Sequence, residues 1–231
     1  MKISGLQKLS LVDFDGHLCA TIFTYGCNFK CPFCHNSSLV ISHSDEILEK
    51  DIFDFLEKRK KQLDSVCISG GEPTLHNDLP QFIKKIKDLG FLVKLDTNGT
   101  NLEMLKYLIE NKLVDYIAMD IKNSIENYPL TTNCSINTDN IEKTIKYIMT
   151  CGIDYEFRTT LVSEFHTIED IKKISKLIKG AKIYYLQKFL ENDNCISSNL
   201  HEINKATALE FKEILIKNIP NTNLRGYWWN F

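Results

Sequence analysis

The chain alternates six short apolar segments, rich in β-branched and aromatic residues, with longer segments whose apolar residues recur three and four positions apart. The short segments are typical of buried strands, and the longer ones are typical of amphipathic helices. Strands that alternate with helices form parallel sheets in which the helices are the connections. The sequence therefore predicts an α/β fold. The predicted strands cover residues 20–25, 65–69, 92–96, 116–120, 155–160 and 182–187.

Helices are predicted at residues 45–62, 79–89, 102–111, 140–150, 168–179 and 205–217. The fifth carries clear end signals: Thr167 is placed as its N-cap, Asp170 stands three residues later as in a capping box, and Gly180 is placed as its C-cap. With 231 residues and 43% hydrophobic content, the chain can bury one good-sized core. We expect a single domain over residues 1–231, with its core at about residues 19–190.

Charge and hydropathy exclude two classes of partner. The formal net charge of −2 provides no basic field for nucleic acid. No apolar run approaches the ~20 residues needed to span a bilayer, so we expect no membrane partner either. The eight cysteines are scattered apart from one loop, and the chain shows no signal peptide. A disulfide framework is therefore disfavoured, and free thiols favour a cytoplasmic location.

Three of the cysteines, Cys27, Cys31 and Cys34, form a CxxxCxxC motif directly after the first predicted strand. This motif offers three thiolates to a metal centre and lacks a fourth. A [4Fe–4S] cluster held in this way keeps one iron open to a ligand that is not protein. Zinc is the main alternative, with the adjacent His35 as a candidate fourth ligand, and reduced thiols without a metal are a third interpretation.

The second predicted strand ends in Gly70-Gly71-Glu72-Pro73. Paired glycines let a ligand approach the backbone closely, Pro73 lacks an N–H donor, and Glu72 offers a carboxylate to an ammonium group. Such a segment on its own is more often a turn than a binding site. Its position one strand after the cysteine loop favours a site, because ligands of parallel α/β folds bind beyond the carboxyl ends of the strands.

Polar residues also occur at the ends of the later strands or inside them. Those after the third and fourth strands can be turn or helix-cap residues, an interpretation that is favoured for Asn98-Gly99, whereas Asp96, Asp120 and Lys122 are favoured as ligand contacts. Those in the fifth and sixth strands interrupt apolar runs, which costs stability unless the side chains are paired internally or contact a ligand. The candidates are Asp96, Thr97, Asn98, Asp120, Lys122, Arg158 and Gln187.

Taken together, these motifs resemble those of a known family. The CxxxCxxC loop with Phe33 before its last cysteine, followed by a Gly-Gly-Glu-Pro strand end, resembles the radical S-adenosylmethionine (radical SAM) enzymes. Within that family, Cys34-His35-Asn36, Asp96-Thr97-Asn98-Gly99 and Met119-Asp120-Ile121-Lys122 resemble the activases of glycyl radical enzymes. Residues 5–14 and Gln187-Lys188-Phe189 are most similar to activating proteins of anaerobic ribonucleoside-triphosphate reductase.

The resemblance implies a set of cofactor contacts. The three cysteines would bind three irons of one [4Fe–4S] cluster, and the methionine end of S-adenosylmethionine would chelate the fourth iron. Phe33 would lie near the adenine, with Asn36 also at the cofactor, and residues 70–73 would receive the methionine amino group. Positions matching Asp96, Thr97, Met119 and Asp120 can hold a monovalent cation in related activases, and Lys122 would face the cofactor.

The resemblance also implies a reaction and a partial (β/α)6 barrel. A flavodoxin or ferredoxin would supply one electron, and cleavage of S-adenosylmethionine would give a 5′-deoxyadenosyl radical. That radical would abstract a Cα hydrogen from a glycine of a partner enzyme, so no side chain is expected to act as a general acid or base. Gln187 stands where pyruvate formate-lyase activases tend to carry a histidine, which weakens an assignment to those activases. Anaerobic ribonucleotide reductase is the partner that the likeness to its activating proteins implies. Two alternatives stay open: a radical enzyme that modifies a small molecule or peptide, and a noncatalytic iron–sulfur or zinc module.

Overall fold

The computed structural model describes residues 1–41, 46–191 and 195–227. These residues have the predicted α/β fold, with an eight-stranded sheet that is mainly parallel. All six predicted strands are present, within two residues at each end. The structure adds a strand before the first and another after the last. The strands are β1 Ile3–Ser10, β2 Cys19–Thr24, β3 Ser65–Gly70, β4 Leu92–Thr97, β5 Tyr116–Asp120, β6 Asp154–Leu161, β7 Tyr184–Lys188 and β8 Thr222–Arg225.

The predicted helices are also present, and two shorter ones are added. The helices are α1 Ser37–Ile41, α2 Glu49–Arg59, α3 Leu79–Asp88, α4 Leu102–Glu110, α5 Tyr128–Thr132, α6 Thr138–Thr150, α7 Ile168–Leu177 and α8 Lys205–Leu215. The predicted start of α2 at residue 45 lies outside the described residues. Among the helices that are described, none is both long and apolar enough to cross a bilayer.

The capping box predicted for α7 is confirmed. The Asp170 N–H donates to Thr167 Oγ1 at 3.3 Å, and the Thr167 N–H donates to Asp170 Oδ2 at 3.0 Å. The prediction of Gly180 as C-cap is wrong by two residues, because Ile178 is the C-cap. Gly180 follows with φ +85°, and its N–H donates to Asn218 O at 3.0 Å.

Residues 1–28, 38–41, 46–118 and 151–154 belong to one compact unit. Its strand β1 pairs antiparallel with β2, and β2, β3 and β4 are parallel neighbours. Ile22, Ile68 and Leu95 lie side by side in this sheet and are fully buried. Thr21, Cys67 and Lys94 form the next row on the opposite face, because successive side chains in a strand alternate between faces.

Residues 29–37, 119–150, 155–191 and 195–227 belong to the second compact unit. Its strands β6, β7 and β8 are parallel neighbours. One face of this sheet is largely apolar, with Phe157, Tyr184 and Leu186 fully buried, although Thr159 and Thr222 also lie on it. The other face is polar across all three strands, with the rows Arg158–Tyr185–Asn223 and Thr160–Gln187–Arg225. The polar face therefore contains two of the residues predicted for the site, Arg158 and Gln187.

Candidate active site

The end of β3 packs against backbone in the first unit, which explains its two glycines. A Cβ atom at Gly71 would lie 1.9 Å from Gly26 O, and one at Gly70 would lie 2.3 Å from Thr24 N. Gly70 also has φ +116°, a conformation that side chains disfavour. Two hydrogen bonds hold this contact: Gly71 N–H donates to Thr24 O at 2.9 Å, and Glu72 N–H donates to Gly26 O at 2.7 Å. The glycine pair thus fixes the backbone directly before Cys27.

The Glu72 carboxylate is fully buried and accepts hydrogen bonds from three neighbouring residues. Oε1 accepts from Thr74 N at 3.1 Å, Thr74 Oγ1 at 2.5 Å and Thr97 Oγ1 at 2.8 Å, and Oε2 accepts from Asn98 N at 2.6 Å. Burial raises the pKa of Glu72, while these donors act in the opposite direction. The carboxylate therefore ties the end of β3 to the end of β4.

Asn98 extends this hydrogen-bond network to the first cysteine. Its side-chain Nδ2 donates to Asn28 Oδ1 at 2.8 Å and lies 3.9 Å from Cys27 Sγ. Its Oδ1 accepts from the Thr100 N–H at 3.0 Å. The structure thus brings together four of the predicted site positions, Cys27, Glu72, Thr97 and Asn98, in one hydrogen-bonded group.

Replacing Glu72 with glutamine should destabilise the protein by about 2–4 kcal/mol, because an amide NH2 cannot accept the donors that converge on the carboxylate. Urea unfolding of the protein without cofactors measures this change. The matched control is Glu103→Gln, since the Glu103 side chain is 81% exposed and pairs with Lys106 at the surface. That control should change stability by less than about 0.5 kcal/mol. Equal stabilities of the two variants would contradict the assigned role of Glu72.

Asp96 is paired with a buried lysine that the sequence analysis did not single out. Lys94 is 2% exposed, and its Nζ lies 3.5 Å from Asp96 Oδ1. The same ammonium donates to Asp13 O and lies 5.9 Å from the centre of the Tyr116 ring. Ser69 Oγ donates to Asp96 Oδ2 at 3.0 Å. The charge of Asp96 is thus balanced within the first unit.

In the second unit, Asp120 lies between two cations. Lys122 Nζ donates to Asp120 Oδ2 at 2.9 Å, and Arg158 Nε donates to Asp120 Oδ1 at 2.9 Å. Burial opposes the charge of Asp120, but the guanidinium and the ammonium hold the pKa of that carboxyl well below its usual range. The carboxylate in turn outweighs burial and raises the pKa of Lys122. Asp120, Lys122 and Arg158 are therefore all charged at neutral pH.

The cysteine loop places Cys31 and Cys34 in one turn of the second unit, where the Cys34 N–H donates to Cys31 O at 3.0 Å. Burial raises the pKa of the Cys31 thiol to about 11, and the Lys122 ammonium acts against this shift. Burial also raises the pKa of Cys34. A hydrogen bond with the main chain of Asn36 lowers this pKa and so opposes the shift. Lys122 is thus the cation that most strongly opposes the rise in the pKa of the Cys31 thiol.

Phe33, His35 and Gln187, which the sequence analysis named, also lie in this unit. The Phe33 ring is buried and lies 5.9 Å from the ring of Phe165. His35 Nδ1 lies 4.0 Å from Cys195 Sγ, a residue that the sequence analysis did not connect with the loop. Gln187 is half-buried on the polar face of β7, beside Arg225.

The thiols suit a metal centre chemically. All eight cysteines are free, including the three of the motif. Across residues 1–41, 46–191 and 195–227, however, no three cysteine, histidine or carboxylate side chains are grouped as a metal site. The assignment of Cys27, Cys31 and Cys34 as ligands therefore stays a prediction from the motif.

The model of the radical SAM superfamily matches residues 21–178, more than half of the chain. The chain belongs to this superfamily. It is accordingly a radical SAM enzyme, and membership implies a [4Fe–4S] cluster and S-adenosylmethionine as cofactors. The cysteine loop and the Gly-Gly-Glu-Pro segment both lie within the matched residues.

Two relatives from Methanocaldococcus jannaschii are named glycyl-radical enzyme activating enzymes. One is 39% identical over 199 residues, covering 83% of this chain and 81% of the relative. The other is 34% identical over 209 residues, covering 88% of this chain and 79% of the relative. Among solved structures, Streptococcus suis SuiB bound to its precursor peptide SuiA is similar with a TM-score of 0.70 at 18% identity. That match covers 89% of this chain but 48% of SuiB, and it supports the fold alone.

Proposed function

We propose that this radical SAM enzyme activates a glycyl radical enzyme by abstracting a Cα hydrogen from one of its glycines. The observation that carries the proposal is the 39% identity, over 83% of the chain, to a relative named for that activity. Anaerobic ribonucleotide reductase is the proposed partner. The support for this choice is the resemblance of residues 5–14 and of Gln187-Lys188-Phe189 to activating proteins of that reductase.

Cys27, Cys31 and Cys34 would hold the cluster in this proposal. Asn98 supports the assignment of Cys27, because an amide N–H directed at the sulfur stabilises a thiolate or a metal-bound sulfur. Lys122 has the same effect on Cys31, since its positive charge favours the thiolate form. When bound, the cluster and S-adenosylmethionine supply the one-electron cleavage and the hydrogen-atom abstraction.

The chain's own residues would bind and orient S-adenosylmethionine. The backbone of Gly70 and Gly71 would receive the methionine amino group, beside Pro73. Glu72, whose carboxylate is bonded to Thr74, Thr97 and Asn98, would hold these strand ends in place. Phe33 and Asn36 would lie near the adenosine. Among the other proposed cofactor contacts are Lys122, Arg158 and Gln187.

A monovalent cation is a further part of the proposal, with Asp96, Thr97, Met119 and Asp120 as its ligands. Asp96 and Asp120 each contact a lysine, Lys94 and Lys122 respectively. A flavodoxin or ferredoxin is the proposed electron donor.

The test is anaerobic. The reconstituted protein is reduced with dithionite and mixed with S-adenosylmethionine and an anaerobic ribonucleotide reductase that contains α-deuterated glycine. We expect 5′-deoxyadenosine, deuterium in its 5′ position, and a glycyl radical detected by electron paramagnetic resonance. A reductase variant with alanine at the radical glycine serves as the control and should give no protein radical.

Other outcomes would contradict the proposal. Formation of 5′-deoxyadenosine with a modified metabolite or peptide, but without a radical on any candidate partner, would favour the small-molecule or peptide enzyme. A bound cluster or zinc ion without binding or cleavage of S-adenosylmethionine would favour a noncatalytic module.

A further inference from the structure

Five charged side chains of alternating sign form a connected series in the second unit. Lys122 contacts Asp120 at 2.9 Å, and Asp120 contacts Arg158 at 2.9 Å. Arg158 lies 3.9 Å from Glu156, and Glu156 lies 3.5 Å from Arg225. The series begins at Lys122, whose charge lowers the pKa of the Cys31 thiol, and it ends at Arg225 on β8. Glu156 is a member that the motifs did not identify.

Glu156 occupies a site where a charge is costly unless it is paired. Its side chain is 4% exposed. The Nη1 atoms of Arg158 and Arg225 both approach one carboxylate oxygen, Oε1, at 3.9 and 3.5 Å. This oxygen is thus shared by two guanidinium groups of like charge, one from β6 and one from β8. Glu156 therefore holds both arginines where they are.

Both ends of this arrangement are constrained. The guanidinium of Arg225 stacks on Tyr185, 3.8 Å from the centre of the ring. Glu156 and Arg158 are two residues apart on β6, so their side chains share one face of the strand. Arg158, held by Glu156 through Nη1, directs its Nε to Asp120 Oδ1 at 2.9 Å. Arg158 thus connects Glu156 to Asp120, because it contacts both carboxylates.

We propose that Glu156 is a positioning residue for S-adenosylmethionine, acting through Arg158 on Asp120 and Lys122. The inference rests on the part of the proposed function that places Asp120 and Lys122 at the cofactor. Glu156 itself touches no cofactor in this account. Loss of its charge removes one of the contacts that orient Arg158, and the Asp120 carboxylate, which Arg158 contacts at 2.9 Å, is then fixed less firmly.

The experiment compares Glu156→Gln with Asp154→Asn. Both changes remove one negative charge from β6 without shortening the side chain, but Asp154 is exposed. Equilibrium binding of S-adenosylmethionine to the reconstituted proteins gives Kd, and the initial rate of 5′-deoxyadenosine formation gives KM and kcat separately. We expect Glu156→Gln to raise Kd and KM about tenfold, the scale of the loss when a residue that orients a binding side chain is replaced. Its cluster content should equal that of the wild type, and Asp154→Asn should match the wild type throughout.

An unchanged Kd in Glu156→Gln would overturn the inference, and so would an equal change in Asp154→Asn. If Glu156→Gln does not fold, Glu156→Asp replaces it, because this variant keeps the charge but shortens the side chain by one methylene and so draws the carboxylate away from Arg158. A raised Kd then supports the inference, and a wild-type Kd overturns it. The two proposals can also fail separately. If Glu156→Gln binds S-adenosylmethionine with a raised Kd but the wild type forms no glycyl radical, the proposed function is refuted while the inference stands.

Discussion

The Cys31→Ala protein is expected to assemble no [4Fe–4S] cluster and to form no 5′-deoxyadenosine. The CxxxCxxC motif supplies three thiolates, and loss of one leaves two irons without a protein ligand. Cys31 is 6% exposed and lies in the same turn as Cys34. No other thiol of the motif can replace it without rebuilding that turn. Iron and sulfide content after anaerobic reconstitution, followed by quantification of 5′-deoxyadenosine and methionine, measures the effect.

Cys151→Ala is the control for this experiment, because Cys151 lies outside the motif, between α6 and β6, and is half-buried. It should keep the iron content and the activity of the wild type. Thermal unfolding of both variants without metal shows whether the alanine alone disturbs the fold. A Cys31→Ala protein with full iron content and full cleavage would refute the ligand assignment.

The Gly71→Ala protein is expected to lose about 3 kcal/mol of unfolding free energy, at the upper end of the range for overpacking. The added methyl group would lie 1.9 Å from Gly26 O, and this neighbour is backbone that cannot rotate away. Because Gly26 directly precedes Cys27, the shift should also displace the start of the cysteine loop. Cleavage of S-adenosylmethionine should then fall about 10²-fold, as expected for a misplaced reacting group.

Gly90→Ala separates the steric effect from backbone strain. Gly90 has φ +94°, but nothing lies within 4 Å of the place where its Cβ would be. Its substitution should cost about 1 kcal/mol from the left-handed backbone and leave cleavage unchanged. Urea unfolding and initial cleavage rates compare the two variants. If Gly71→Ala were no less stable than Gly90→Ala, the close approach of β3 to Gly26 would be wrong.

Patterns of residues close together in the sequence were sufficient to predict most of the strands and helices. The apolar run at residues 116–120 and the Thr167–Asp170 pair mark β5 and the start of α7 because each depends on residues close together in sequence. The two added strands depend on distant partners instead. The central residues of β1 are half-buried or exposed, and β8 has four residues, so each is a strand because a neighbouring strand pairs with it.

The same distinction applies to the candidate site. Asp120, Lys122 and Arg158 were found because a charge at a strand end or inside an apolar run is unusual. Lys94 and Glu156 also interrupt predicted strands, and this interruption is the sequence feature that could have marked them as buried charges. Their importance comes from partners 81 and 69 residues away, Asp13 and Arg225, which no local pattern reveals. Which residue balances a buried charge is decided by the pairing of strands.

Strand β1 has a consequence for how the protein can be handled. It stands at one end of the strand order and pairs along β2, whose Ala20 and Ile22 are fully buried. Its own pairing is irregular at two places, Lys8 is exposed, and an isolated bridge joins Ile3 to Ile47. Irregular pairing and an exposed lysine both discourage the addition of a further strand. Residues 3–10 thus protect the apolar edge of β2 from intermolecular β-pairing, and shortened forms of the protein should keep them to stay free of aggregation.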